Sequence, residues 1–317
     1  MRTWLGLLGR QAHWALPVGV FTGVVLPDVA AFLRPIVTAA VVGTLTIALL
    51  RLDWNLLRVA ARRPGLPSRL ALWQLLASPL LAWSASALVG LPPEFGLVLV
   101  LQAAAPPIGS APVFAMILGL DGVLAVIGTV TTTLLLPFTL TPLVGLLLPA
   151  AGLEVDLGAF FVRVLLVVVA PFVIAGLIRQ LAGVDRLARH RDALGGANVL
   201  LLVLFSSALM DGVTARFVND PGYILALLLL ACVATLALHL AGLVLFFRAG
   251  VTASYSAALL SGNRNVGIIL VITAGTAGEA FSLYAGIAQI PMYFAPLLLM
   301  PLLRRSRRAN NGQAPPD

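Results

Sequence analysis

Arg264 lies in the pentapeptide Ser261-Gly262-Asn263-Arg264-Asn265, with Ala258-Leu259-Leu260 before it and an apolar run to Ile272 after it. A guanidinium, two amides and a hydroxyl thus stand near the middle of a segment long enough to cross a bilayer. A charge at that depth costs roughly 2.5–3.5 kcal/mol even on the lenient insertion scale, so it faces a partner or a watery cavity. Arginine stays protonated, and its planar fork matches carboxylates and other oxygens. The chemistry is recognition of an anion or of a carbonyl-rich cage. Other polar groups at membrane depth are Gln74 in the third apolar segment and Thr129, Thr132 and Thr133 in the fifth. The threonines are three and four apart, on one helical face. His239 in the eighth segment is a candidate proton carrier or a hydrogen-bonded structural imidazole. No acid pair, activated nucleophile or metal cluster converges, so an enzyme is not expected.

The elements that position these groups follow from composition. Of 317 residues, 60% are hydrophobic and 10% charged, against about 25% charged in a soluble domain. The expected class is an all-α polytopic membrane protein. All 20 basic residues are arginine and the formal charge is +8. The arginines fall in inter-segment loops, which reads as topology, and no nucleic-acid partner is expected. The single cysteine, Cys232, excludes an internal disulfide and reads as a buried thiol.

Ten apolar segments run approximately Trp14–Leu26, Pro35–Leu50, Ala71–Val89, Phe95–Leu118, Val123–Leu148, Phe160–Ile178, Ala197–Leu209, Ile224–Phe246, Ala253–Ala274 and Ala280–Leu303. With ten spans, 16 arginines fall on the side of the termini and only Arg34 and Arg216 on the other. This asymmetry predicts cytoplasmic N- and C-termini in a bacterial-type inner membrane. Residues 304–317 read as a disordered cytoplasmic tail.

The acidic loop Ala150–Asp156 divides the chain into five spans plus five, residues 1–152 and 153–303. An odd number per half forces the halves into opposite orientation, the inverted repeat of secondary transporters. The fourth span of each half carries a break. In the first, Ala105-Pro106-Pro107-Ile108-Gly109-Ser110-Ala111-Pro112 cannot form a continuous helix. In the second, the break is Ser261–Asn265. Two such breaks at equivalent positions predict a crossing point, with Pro106, Ser110, Ser261, Gly262, Asn263, Arg264 and Asn265 offering groups to a ligand.

In order and spacing the residues resemble the bile acid:sodium symporter family. The features are Arg62-Arg63-Pro64, Gln74 before Pro79, Leu91-Pro92-Pro93-Glu94, Ala104-Ala105-Pro106 and Thr141-Pro142 in the first half. In the second half they are Val168-Val169-Ala170-Pro171, Gly176, Arg179, Gly262 and Asn265. The resemblance implies ten helices in a panel domain and a core domain, with crossed broken helices 4 and 9 and alternating access. It implies a small organic anion as substrate (bile acid, steroid conjugate or carboxylate) and two sodium ions.

The residues depart from that pattern where sodium would bind. The family's ninth-span motif reads Glu-x-Gly-x-Gln-Asn; here Leu260 replaces the glutamate and Arg264 the glutamine. Ala111 and Pro112 replace a Ser-Asn pair, and Ala125 replaces a serine, while Gln74 and Thr129 remain. A +1 charge at about 4–5 Å, at an effective dielectric near 20, opposes a bound Na⁺ by roughly 3–4 kcal/mol. The expectation is a secondary transporter of an organic anion in which Arg264 is a tethered cation standing in for sodium, with no other cofactor. Two roles stay open for the arginine: contact with substrate, or a purely structural cation held by helix-end carbonyls. The alternatives are a sodium-coupled symporter with atypical ion sites and an efflux carrier of the same superfamily. Oligomeric state is not legible.

Overall fold

A computed structural model describes residues 12–52, Trp54, 64–147, 156–273 and 276–294. Residues 150–155 of the acidic loop that divides the two halves, the arginines at positions 2, 10, 58, 62 and 63, the end of the tenth apolar segment and the tail lie outside the described residues.

The described chain is helical. α1 (Ala12–Val25) leads into α2 (Pro27–Leu33), a 3-10 turn and α3 (Val37–Leu50). Then come α4 (Gly65–Leu72), a single π turn (Trp73–Ala77), α5 (Ser78–Val89), α6 (Pro93–Ala104), α7 (Ala111–Ile117) and α8 (Gly122–Leu147). The second part holds α9 (Leu157–Ala182), α10 (Val184–Arg189), α11 (Arg191–Ala208), α12 (Val213–Asn219) and α13 (Pro221–Leu245). Then follow α14 (Val251–Gly262), α15 (Val266–Thr273) and α16 (Gly278–Ile287), with helical residues again over 289–294.

Among the described residues, six helical stretches are long and apolar enough to cross a membrane. The fourth and ninth expected segments do not count among them, because each is broken into two short helices, α6/α7 and α14/α15. The second expected segment starts earlier than its hydropathy suggests, since Pro27 opens α2 and the helical path continues to Leu50. The seventh begins at Arg191 rather than Ala197. Local chemistry sets the ends: the Asp156 carboxylate accepts from Gly158 and Ala159 backbone N–H at 2.9 and 3.1 Å, capping α9.

α13 shows how the chain sits in its surroundings. Leu225, Leu229, Val233, Leu236, Leu240 and Val244 are exposed, at steps of three and four. The opposite stripe, Leu227, Ala231, Thr235, His239 and Gly242, is buried. An outer face of pure Leu and Val with polar and small residues inward is the pattern of a helix in lipid. Cys232 belongs to the exposed part of α13, correcting the expectation of a buried thiol. Small residues let α13 and α14 close: a Cβ on Gly262 would overlap the His239 ring, and one on Gly242 would lie 2.6 Å from Ser261 Oγ.

Candidate functional site

The two broken helices meet. α6 ends at Ala104 and α14 at Gly262, and the extended pieces after them pair in an isolated antiparallel bridge between Pro107 and Arg264. Ile108 N–H donates to Asn263 O at 2.9 Å, and Asn265 N–H donates to Pro106 O at 2.7 Å. Each break thus supplies partners for backbone groups the other frees, which is how unwound chain is tolerated at membrane depth.

Arg264 is fully buried, and its partners are oxygens of other segments and of its own helix end. Nε donates to Ser261 O at 2.6 Å, Nη1 to Ala105 O at 2.8 Å, and Nη2 to Ser78 Oγ at 3.1 Å. Nη1 also lies 3.4 Å from Gln74 O. Ser261 and Ala105 stand at the C-terminal ends of α14 and α6, where carbonyls lack partners along the helix and the dipole is negative. Gln74 lies in the π turn, which loosens the α-helical register, and its carbonyl also lies 3.0 Å from Ser78 Oγ. Three carbonyls and one hydroxyl therefore cage a cation. No ion pair to Arg264 exists among the described residues.

The surrounding side chains support the cage. Ser78 Oγ accepts from Arg264 and can donate to Ala103 O at 2.9 Å. Trp73 Nε1 donates to Ser261 Oγ at 2.9 Å, and Ser261 Oγ donates to Ala257 O at 2.7 Å. Asn265 Oδ1 accepts from Ile268 N–H at 3.2 Å, so its side chain caps α15. The side-chain amides of Gln74 and Asn263 are fully buried, and neither the oxygen nor the nitrogen of either has a partner among the described residues.

The other expected residues separate. Thr129 and Thr133, with Gly109 and Pro112, line a cavity of about 120 Å³ between α3, α7, α8, α9 and α11. Thr132 does not: it is fully buried, and its hydroxyl bonds back to Gly128 O at 2.6 Å. Ser110 and Asn265 line a smaller neighbouring space of about 30 Å³, which shares Gly109 and Asn198 with the first. Pro106 contributes its carbonyl to the crossing. His239 Nδ1 is 2.8 Å from Thr235 O and the ring packs on Gly262, away from both spaces. Leu260, Ala111 and Ala125 are fully buried apolar side chains.

Sequence reasoning missed the basic end of the cavity. Arg51 and Arg191 line it, with Phe172 and Leu45 among the apolar walls. Burial, and then Arg191, holds the Arg51 guanidinium below its ordinary value, with Asp192 pulling it back up. Arg51 and Arg191 both flank apolar segments, a position that does not by itself separate a cavity-lining arginine from a solvated one. Arg34 and Asp211 pair at 2.9 Å at the other end of α3.

The fold and site define a polytopic helical membrane protein with a buried cation at a crossing of broken helices. Residues 42–219, more than half of the chain, match the model of the sodium bile acid symporter family. The chain belongs to that family of membrane transporters. Compared with individual curated proteins, it finds no match.

Proposed function

We propose that the chain carries a small organic anion across the inner membrane by alternating access, with the Arg264 guanidinium in the role of a bound sodium ion. The observation that supports this most is the cage itself: oxygens of Ala105, Gln74, Ser78 and Ser261 around one fully buried cation. An alkali ion asks for the same kind of oxygens at the same kind of place. Of the two roles open to Arg264, its burial favours the tethered cation over direct substrate contact.

Two sodium ions of the family's kind do not fit these residues. The cage carbonyls are already engaged, and apolar side chains stand at Leu260, Ala111 and Ala125. The unpartnered amides of Gln74 and Asn263 need acceptors as well as donors, which water supplies and a metal ion does not.

Ten spans in two inverted repeats, residues 1–152 and 153–303, account for the matched breaks, each in the fourth span of its half. Arg51, Arg179 and Arg191 line one cavity at the C-terminal end of α3, while Arg34 stands at the N-terminal end. The positive-inside rule then makes the first end, and both termini, cytoplasmic.

The cavity suits an amphipathic anion: apolar walls, Thr129, Thr133 and Asn198 as hydrogen-bonding groups, and two guanidiniums. At about 120 Å³ it falls below the roughly 300–1,000 Å³ of drug-sized pockets. That favours a compact carboxylate over a steroid. The test is counterflow in proteoliposomes loaded with unlabelled small carboxylates, 2-oxo acids or steroid sulfates. Saturable accumulation of one labelled anion, absent from empty liposomes, supports the reading; no counterflow with any of them contradicts it.

A further inference from the structure

A second basic space adjoins the first cavity and shares Arg51, Leu52 and Arg191 with it. It measures about 440 Å³ and is bounded by Arg51, Trp54, Arg179, Val184 and Arg191. Its lining carries no carboxylate among the described residues. The Asp192 field reaches Arg51, but Arg191 outweighs it. Arg179 Nη1 lies 3.1 Å from Leu52 O, and its guanidinium carbon sits 5.7 Å from the Trp54 ring centroid. Two buried donors in this wall, Arg51 Nε and Trp54 Nε1, have no acceptor among the described residues.

Three stretches long and apolar enough to cross a membrane begin or end here: Pro27–Leu50, Leu157–Ala182 and Arg191–Asn219. The space therefore lies at the level of a bilayer surface. The last turns of α9 beside it expose Leu177 and Leu181, and Val184 in its own wall is 59% exposed. An exposed apolar margin beside a basic space gives a phospholipid tail a surface to lie along. Tryptophan and arginine at a bilayer surface are the residues that hold headgroups.

We infer that this space binds the phosphate of an anionic phospholipid, distinct from the transported anion. The guanidiniums would take the phosphate oxygens. The test uses the purified full chain in detergent, titrated with phosphatidylglycerol, cardiolipin or phosphatidylcholine and followed by native mass spectrometry and thermal unfolding. The expected result is retention of, and stabilisation by, the two anionic lipids but not phosphatidylcholine. Val184→Glu sets a carboxylate in an exposed part of the wall and weakens anionic-lipid binding about fivefold, the effect of one charge near a membrane surface. Arg179→Gln does the same; should it unfold, Val184→Glu carries the test alone. Unchanged lipid binding in Val184→Glu would overturn the inference. So would glycerol 3-phosphate reproducing the lipid's stabilisation, since that assigns the space to a soluble anion.

Discussion

Arg264 Nη1 lies 2.8 Å from the carbonyl oxygen of Ala105, across 159 residues of chain. This side-chain hydrogen bond joins the two helix breaks alongside the backbone pairs Ile108–Asn263 and Asn265–Pro106. The same guanidinium also reaches the end of its own helix at Ser261 and the π turn at Gln74. Removing it does more than delete a charge, because several buried carbonyls lose their donors together.

Arg264→Gln is expected to lower stability in detergent by about 2–4 kcal/mol, because each buried acceptor left unpaired costs about 1–3 kcal/mol. Arg264→Lys keeps the charge but not the planar fork, and should recover part of the loss. Thermal unfolding of the three proteins checks the order: wild type, then lysine, then glutamine.

Ser78→Ala removes the acceptor for Arg264 Nη2 and the donor to Ala103 O. It should cost about 1–3 kcal/mol. Thr132→Val, at a hydroxyl that bonds only to its own helix, should cost less than about 1 kcal/mol. Equal losses in unfolding measurements would contradict the distinction between cage and helix.

Much of this was legible from residues. Three prolines and a glycine announced the break after α6, and a polar pentapeptide in an apolar run announced the one after α14. The π turn at Trp73–Ala77 was not legible, because no residue type encodes one extra residue in a turn. Yet that turn brings the Gln74 carbonyl and the Trp73 indole to the site. Arg51, Arg179 and Arg191 read as topology charges, since a loop arginine looks the same in sequence whether it is solvated or lines a cavity. Cys232 was misread for a physical reason: in lipid both faces of a helix are apolar, so hydrophobicity no longer reports burial.

Gly262→Ala forces a methyl into the His239 ring. Overpacking of this kind costs about 1–3 kcal/mol. His239→Ala in the same chain should recover a substantial part of it. No recovery of the unfolding midpoint in the double variant would show that the strain lies elsewhere.

His239 donates from Nδ1 to Thr235 O and lies outside both spaces at the crossing. Uptake by His239→Gln should therefore follow the wild-type pH profile between about pH 5.5 and 8, the range in which a working histidine would titrate. A profile flattened in the variant alone would restore the proton-carrier role.

Arg51→Gln and Arg191→Gln each remove one guanidinium from the cavity lining. Each is expected to raise KM for the transported anion about tenfold with little change in maximal rate, the loss of one charge-assisted contact. Val130→Trp fills the cavity from α8 and should abolish uptake while the protein still purifies as a folded monodisperse species.

The central claim is that the cation at the crossing is part of the chain. Its most direct test is the initial rate of uptake into proteoliposomes, for the anion that shows counterflow, under equal inward gradients of sodium or choline. Equal rates are predicted. A saturable, several-fold stimulation by sodium would contradict the account.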